Sequence, residues 1–153
     1  MALSIVDILQ DIESTCAAAG TGYETHIVRD MRGLFFDRGR FPRVFVQFVN
    51  INLLNTDKDD YGLATYQVTV WDKSVRDVYG SDALIKTLRH ADILHDALSE
   101  YIYTETRGDG TTHPIQGRID GYAIQEPFSV DRASKVWIQG ASMMIRILHQ
   151  ITV

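Results

Sequence analysis

Two stretches restrict the folding of this chain more than any others: RVFVQFVNINLL, from Arg43, and KVWIQGASMMIRIL, from Lys135. Both are rich in β-branched and aromatic residues and too long and continuous for turns, so they read as strands. Side chains alternate along a strand, which puts Val44, Val46 and Phe48 on one face of the first and Phe45, Val49, Ile51 and Leu53 on the other. Trp137, Ile138, Met143, Met144, Ile145 and Ile147 likewise populate both faces of the second. Strands of this kind are normally covered on both sides.

The helices available as cover are few. Ser4 with Asp7 forms a capping-box-like start, Ile5, Ile8, Leu9, Ile12, Cys16 and Ala19 recur at helical spacing, and Gly20 and Gly22 end the run. This predicts a helix over Ser4 to Ala19. A second is predicted from a Ser81 or Asp82 cap to about Tyr101, where Leu88, Ala91, His95, Leu98 and Ile102 all fall within about 40° of Leu84 on a helical wheel. The remaining strands are Tyr23 to Asp30, Ala64 to Trp71, Pro114 to Gln125 and Val136 to His149. The order α-β-β-β-α-β-β predicts a single α+β domain over residues 1–153, with a mainly antiparallel twisted sheet and two main helices packed on one face.

Strands lie about 4.8 Å apart and a helix is about 10 Å across, so two helices cover about four strands on one side only. The other side needs a cover. Either a second subunit supplies it or the loop Met31 to Phe41 folds back over the sheet.

The bulk properties exclude several classes. Of the 153 residues 45% are hydrophobic, and the chain carries 15 Lys and Arg against 20 Asp and Glu, a net charge of −5. The basic residues are scattered, so no cationic stripe tracks a phosphate backbone. No apolar run approaches the ~20 residues that span a bilayer. The start MALSIVDILQDIES carries acids and lacks the basic opening of a signal peptide, and the lone Cys16 excludes an intrachain disulfide. A soluble protein of a reducing cytoplasm is expected.

Motif by motif, the chain offers little chemistry. HADILHD holds His90, Asp92, His95 and Asp96, yet His90 and His95 point about 140° apart on one helix and share no ion there. Arg107-Gly108-Asp109 reads as a loop tip, and NTDKDDYG as a solvated turn, since the calcium-loop register would put Val68 where a bidentate Glu is required. There is no G-x-S-x-G and no Gly-rich phosphate loop ahead of a helix. No catalytic, cofactor-binding or metal-binding residue is assigned, and no cofactor is expected.

The segment TYQVTVWDKSVRDVYGSDALIKTLRHADILHDAL, a strand ending in Val-x-Val-Trp, a polar connector and an amphipathic helix, is preceded by FPRVFVQFV and followed by KVWIQGASMMIRI. This order of elements resembles the tail-terminator or tail-completion proteins of tailed bacteriophages and the related head–tail joining proteins. The resemblance implies a non-enzymatic structural protein that assembles into a closed ring of about six copies at the head-proximal end of the tail tube. It implies partners in the tail tube protein and the head-connector or stopper protein, with DNA passing through the lumen without specific binding. Localisation would be the virion tail or neck, after assembly in the host cytoplasm, with no membrane. On that reading the candidate interface residues are Asp57, Asp59, Asp60, Trp71, Asp72, Arg76, Arg107 and Asp109. The hairpin Asn50 to Gly62 and the region Gly108 to Gln116 are long for a minimal member.

Two other classes stay open on the residues themselves. One is a small metal-dependent hydrolase using His95, Asp92 and Asp96, and the other is a dimeric α+β ligand-binding module.

Overall fold

The computed structural model describes residues 5–20, 22–29, 41–55, 60–74, 81–99, 102–106, 112–124, 128–131 and 136–151. Helix α1 (Ile5–Ala19) leads into β1 (Glu24–Ile27), followed by β2 (Arg43–Asn55), β3 (Asp60–Ser74) and α2 (Ser81–Ser99). Five strands complete the chain: β4 (Ile102–Thr106), β5 (Thr112–Gln116), β6 (Arg118–Ile124), β7 (Phe128–Asp131) and β8 (Val136–Ile151). The fold is α+β, as the pattern predicts. Beyond α2 it adds detail: the segment expected as one strand over Pro114 to Gln125 is divided between β5 and β6 at Gly117, and β4 and β7 are short additional strands.

The main sheet runs β1-β2-β3-β8-β6, with β7 also pairing β8, while β4 and β5 form a separate antiparallel ribbon. Among the described residues only β1 with β2 is parallel; the other ladders are antiparallel. A bulge at Val49, between the pairs Phe48↔Tyr66 and Asn50↔Thr65, shifts the β2 register by one residue. It explains why Phe48 and Ile51, three apart, both reach the same core, where strict alternation predicts opposite faces.

Both helices cover one face. Ile8, Ile12 and Cys16 of α1 and Ala91, Leu94 and Leu98 of α2 pack on Val44, Val46, Tyr66, Val68, Val70, Met143, Ile145 and Ile147. Burying a side chain of this size contributes about 1.5–3 kcal/mol, so this layer is the main source of stability. The buried stripe of α2 is Ala83, Thr87, Ala91, Leu94 and Leu98, rotated from the predicted one. Leu84, Leu88 and His95 sit at its margins. Small residues at positions 83 and 87 let the helix approach the sheet, and the Thr87 hydroxyl donates to the carbonyls of Ala83 (2.8 Å) and Gln139 (3.1 Å).

Length decides how far this cover extends. The 16 residues of β8 span roughly 50 Å. The 19 residues of α2 span only about 28 Å. The sheet therefore outruns the helices towards the β2–β3 hairpin, where Leu53 is 66% exposed.

Candidate functional site

The face of the sheet turned away from the helices is built from the alternate residues of the same strands. In register across β2, β3 and β8 it carries Arg43, Trp71 and Gly140, then Phe45, Thr69 and Ser142, then Gln47, Gln67 and Met144. Asn50, Thr65 and Arg146 follow, with Arg118 of β6 beside Arg146, and then Asn52, Leu63 and Leu148. The expectation that both sheet faces are apolar therefore holds only in part. This face is apolar at the Trp71 end, polar across Thr65, Gln67 and Thr69, and mixed at the hairpin end, where Leu63 and Leu148 stand among Asn50, Asn52, Arg118 and Arg146.

The chain covers one of those ends itself. Phe45, Trp71 and Ile138 form a second buried cluster, with Val28 and Phe41 packed against it. Val28 is held by its N–H donating to the Val46 carbonyl at 2.9 Å. The Lys73 ammonium lies 5.3 Å from the Phe41 ring centroid, and the Arg43 guanidinium 5.6 Å from that of Phe45. Both cations lie within reach of a favourable cation–π contact. The opposite end, with Arg118, Arg146 and Leu148, stays exposed.

A polar relay ties the helical layer to the sheet. His90 Nε2 lies 3.0 Å from Asp72 Oδ2, and its Nδ1 lies 2.8 Å from the Tyr23 hydroxyl. A neutral imidazole protonated on Nε2 satisfies both: it donates to the carboxylate and accepts from the phenol. The other Asp72 oxygen accepts from the backbone N–H of Lys73 at 2.8 Å. Burial, then the Asp72 charge, raises the Tyr23 pKa above 10.0. Tyr23 is thereby kept protonated as a donor, the reverse of an activated phenolate. One step along, the Ser74 hydroxyl donates to the Asp82 carboxylate, which lowers the Asp82 pKa and pins the last residue of β3 to the first turn of α2.

At the far end of α2 an open cleft of about 500 Å³ is lined by His95, Ser99, Gly117, Arg118 and Ile119. His95 Nδ1 is 4.0 Å from Asp96 Oδ1, and the Ser99 hydroxyl is committed to the Asp96 carbonyl at 3.0 Å. Ser99 is therefore placed as a helix-end hydrogen bond and not as a nucleophile with a base. Among the described residues no three His, Cys, Asp or Glu side chains come together in a way that could hold a metal ion, the set of His95, Asp92 and Asp96 included.

Of the sequence-derived interface candidates, Asp57, Asp59, Arg76, Arg107 and Asp109 lie outside the described residues. Asp60 opens β3, in register with Asn55 and Ile151 at the tip of the three-stranded extension. Trp71 and Asp72 are both inside the protomer, Trp71 at 5% exposure in the second cluster and Asp72 beneath α2. Sequence reasoning missed the relay and the Arg118–Arg146 pair. The relay carries no local signal, because its members are separated by 67 and 18 residues. The arginine pair carries one: Met144, Arg146 and Leu148 alternate with the buried Ile145 and Ile147, and a charge in that pattern marks a wet face.

No helix among the described residues is long and apolar enough to cross a membrane. No protein-family model matches the chain, and no curated protein matches it in sequence. Among solved structures, a chain from the virion of a native gene transfer agent particle is similar at 12% identity and a TM-score of 0.38, over 95% of this chain and 92% of that one.

Proposed function

We propose that this chain is a non-enzymatic structural subunit of a phage-like virion, a ring-forming tail terminator or neck protein. In that role it caps the tail tube and joins it to the head connector. The observation that carries the reading is the mismatch between sheet and helices. The sheet outruns its cover at the hairpin end, leaving Leu53 in water, and the second face, which no helix covers, leaves Leu148 exposed as well. Exposed apolar surface on an extended sheet is what an assembly subunit buries against its neighbours. The sequence resemblance in element order supports the same role.

The polar organisation supports it as well. The relay and the Ser74–Asp82 contact tie the end of β3 to α2, so the sheet and its helical layer present one rigid body to a partner. Assembly needs no catalytic residue: a patch on each copy meets a different patch on the next, and the rotation closes. A net charge of −5 suits a lumen through which DNA moves without sticking.

Electron microscopy of the purified chain, alone and mixed with tail tubes, tests this. Closed rings, or caps on tube ends, are expected. A chain that neither self-assembles nor binds tube ends contradicts the reading.

A further inference from the structure

Resting on the self-assembly in that reading, we infer that the β4–β5 ribbon of one copy adds through β4 to the open edge of β2 in another, extending its main sheet by strand addition. β1 lies along β2 only from Arg43 to Val46, and Val28 closes that ladder by donating to the Val46 carbonyl at 2.9 Å. Among the described residues no strand continues beside β2 from there to Asn55.

The register fixes which backbone groups that edge offers. The N–H and C=O groups of successive residues alternate between the two sides of a strand. The Val46 carbonyl points to β1, so the opposed Val68 points to β8. β3 pairs with β8 without a break, which keeps the alternation at Ala64, Gly62 and Asp60. Their partners Ile51, Leu53 and Asn55 therefore turn their N–H and C=O groups outward, away from β3. Leu53, in the middle of this edge, is 66% exposed.

The ribbon presents a matching edge. Thr104 is opposite Pro114, which has no N–H, so that pair is of the non-hydrogen-bonded kind and Tyr103 and Glu105 carry the bonds to β5. Ile102, Thr104 and Thr106 thus turn their backbone groups outward from β4, at the same alternate spacing as Ile51, Leu53 and Asn55. The outer edge of β5 lacks the Pro114 donor and is the poorer template. A two-stranded ribbon by itself is marginal in water, and a third strand stabilises it.

The partner is another copy because the two edges lie on opposite borders of the protomer. β5 leads through Gly117 into β6, beside β8, whereas β2 lies beyond β3. The β6 edge is itself interrupted between Ile119 and Tyr122, where Gly121 has a φ of 95°, and such a bulge disrupts pairing.

Proline at an outward residue removes only an N–H that its own ribbon does not use. Thr104→Pro in the full chain should weaken assembly at least roughly tenfold in native mass spectrometry or sedimentation, whereas Thr112→Pro, on the β5 edge, should assemble as wild type. Thermal melting controls for folding. Independently of proline, an equimolar mixture of Leu53→Cys and Thr104→Cys chains should form a disulfide between the two variants on mild oxidation, and Leu53→Cys with Thr112→Cys should not. If Thr104→Pro assembles no worse than Thr112→Pro, or if that cross-link does not form, this contact is overturned while the ring reading stands. A wild-type chain that assembles neither alone nor on tail tubes removes both.

Discussion

The indole of Trp71 fills the space that Gly140 leaves without a side chain. The two are in register across β3 and β8, and a Cβ added at Gly140 would stand 2.7 Å from Cε3 of Trp71. Trp71 has little room to retreat, since Phe45 and Ile138 pack beside it. Gly140→Ala should therefore cost about 1–3 kcal/mol through overpacking, a fall of roughly 2–4 °C in Tm per kcal/mol for a domain of this size. Thermal melting checks it, and Trp71→Phe in the same chain should recover part of the loss. An unchanged Tm in Gly140→Ala would show that the indole does not hold this position.

The His90 relay gives a second expectation. Tyr23→Phe removes one hydrogen bond and should cost about 1 kcal/mol. Asp72→Ala leaves the partly buried imidazole without its acceptor and should cost more, about 1–3 kcal/mol. In a double-mutant cycle the two changes should be coupled, because both act through one ring. Asp72→Asn should also move the Tyr23 pKa back towards 10.0, since the Asp72 charge is one of the causes raising it. Ultraviolet titration of the phenol reads that shift, and additive energies with an unmoved titration would rule the relay out.

Alkaline pH probes the core. Burial, with a smaller contribution from Glu13, pushes the Cys16 thiol from 9.0 up to about 12, and burial likewise raises Tyr66 and Tyr23 above 10.0. Each group is neutral when protonated, and its folded pKa lies above its unfolded value. The stability these groups contribute is whole below pH 9 and is lost as pH rises through 9 to 12. Chemical denaturation across that window should show a progressive decline. Cys16 should also resist thiol reagents at pH 8 until the chain unfolds; rapid labelling of folded protein would contradict its burial.

Local periodicity carried much of this fold. The α1 stripe Ile8, Ile12 and Cys16 and the strands β2, β3 and β8 follow directly from their own residues, because period-3.6 and period-2 patterns are set within a few turns or pleats. Three features depend on partners and were not legible. The Val49 bulge exists only relative to β3. The rotation of the α2 stripe depends on how closely Ala83 and Thr87 let the helix approach β8. The second face looked apolar in β2 and β8, but the Val49 bulge turns Asn50 and Asn52 onto it, β8 adds Ser142 and Arg146, and β3 supplies Thr65, Gln67 and Thr69 between them. Of the candidate site, the inward placement of Trp71 and Asp72 required the register.

Leu53 and Leu148 separate assembly from folding. Both are at least half exposed, so Leu53→Lys and Leu148→Lys should change monomer stability by no more than about 0.5 kcal/mol. The same substitutions should reduce self-association or capture by tail tubes, measured by sedimentation or pull-down. A large loss of thermal stability would mean that these side chains serve the protomer's own core.

The central claim is that the sheet is too long for its own helices and is completed by other copies. Native mass spectrometry of the full chain at micromolar concentration, with and without tail tube protein, tests this most directly. The account predicts a discrete closed oligomer of about six copies, formed by the chain alone or on the tube. A monomer or a dimer that persists under both conditions would contradict it.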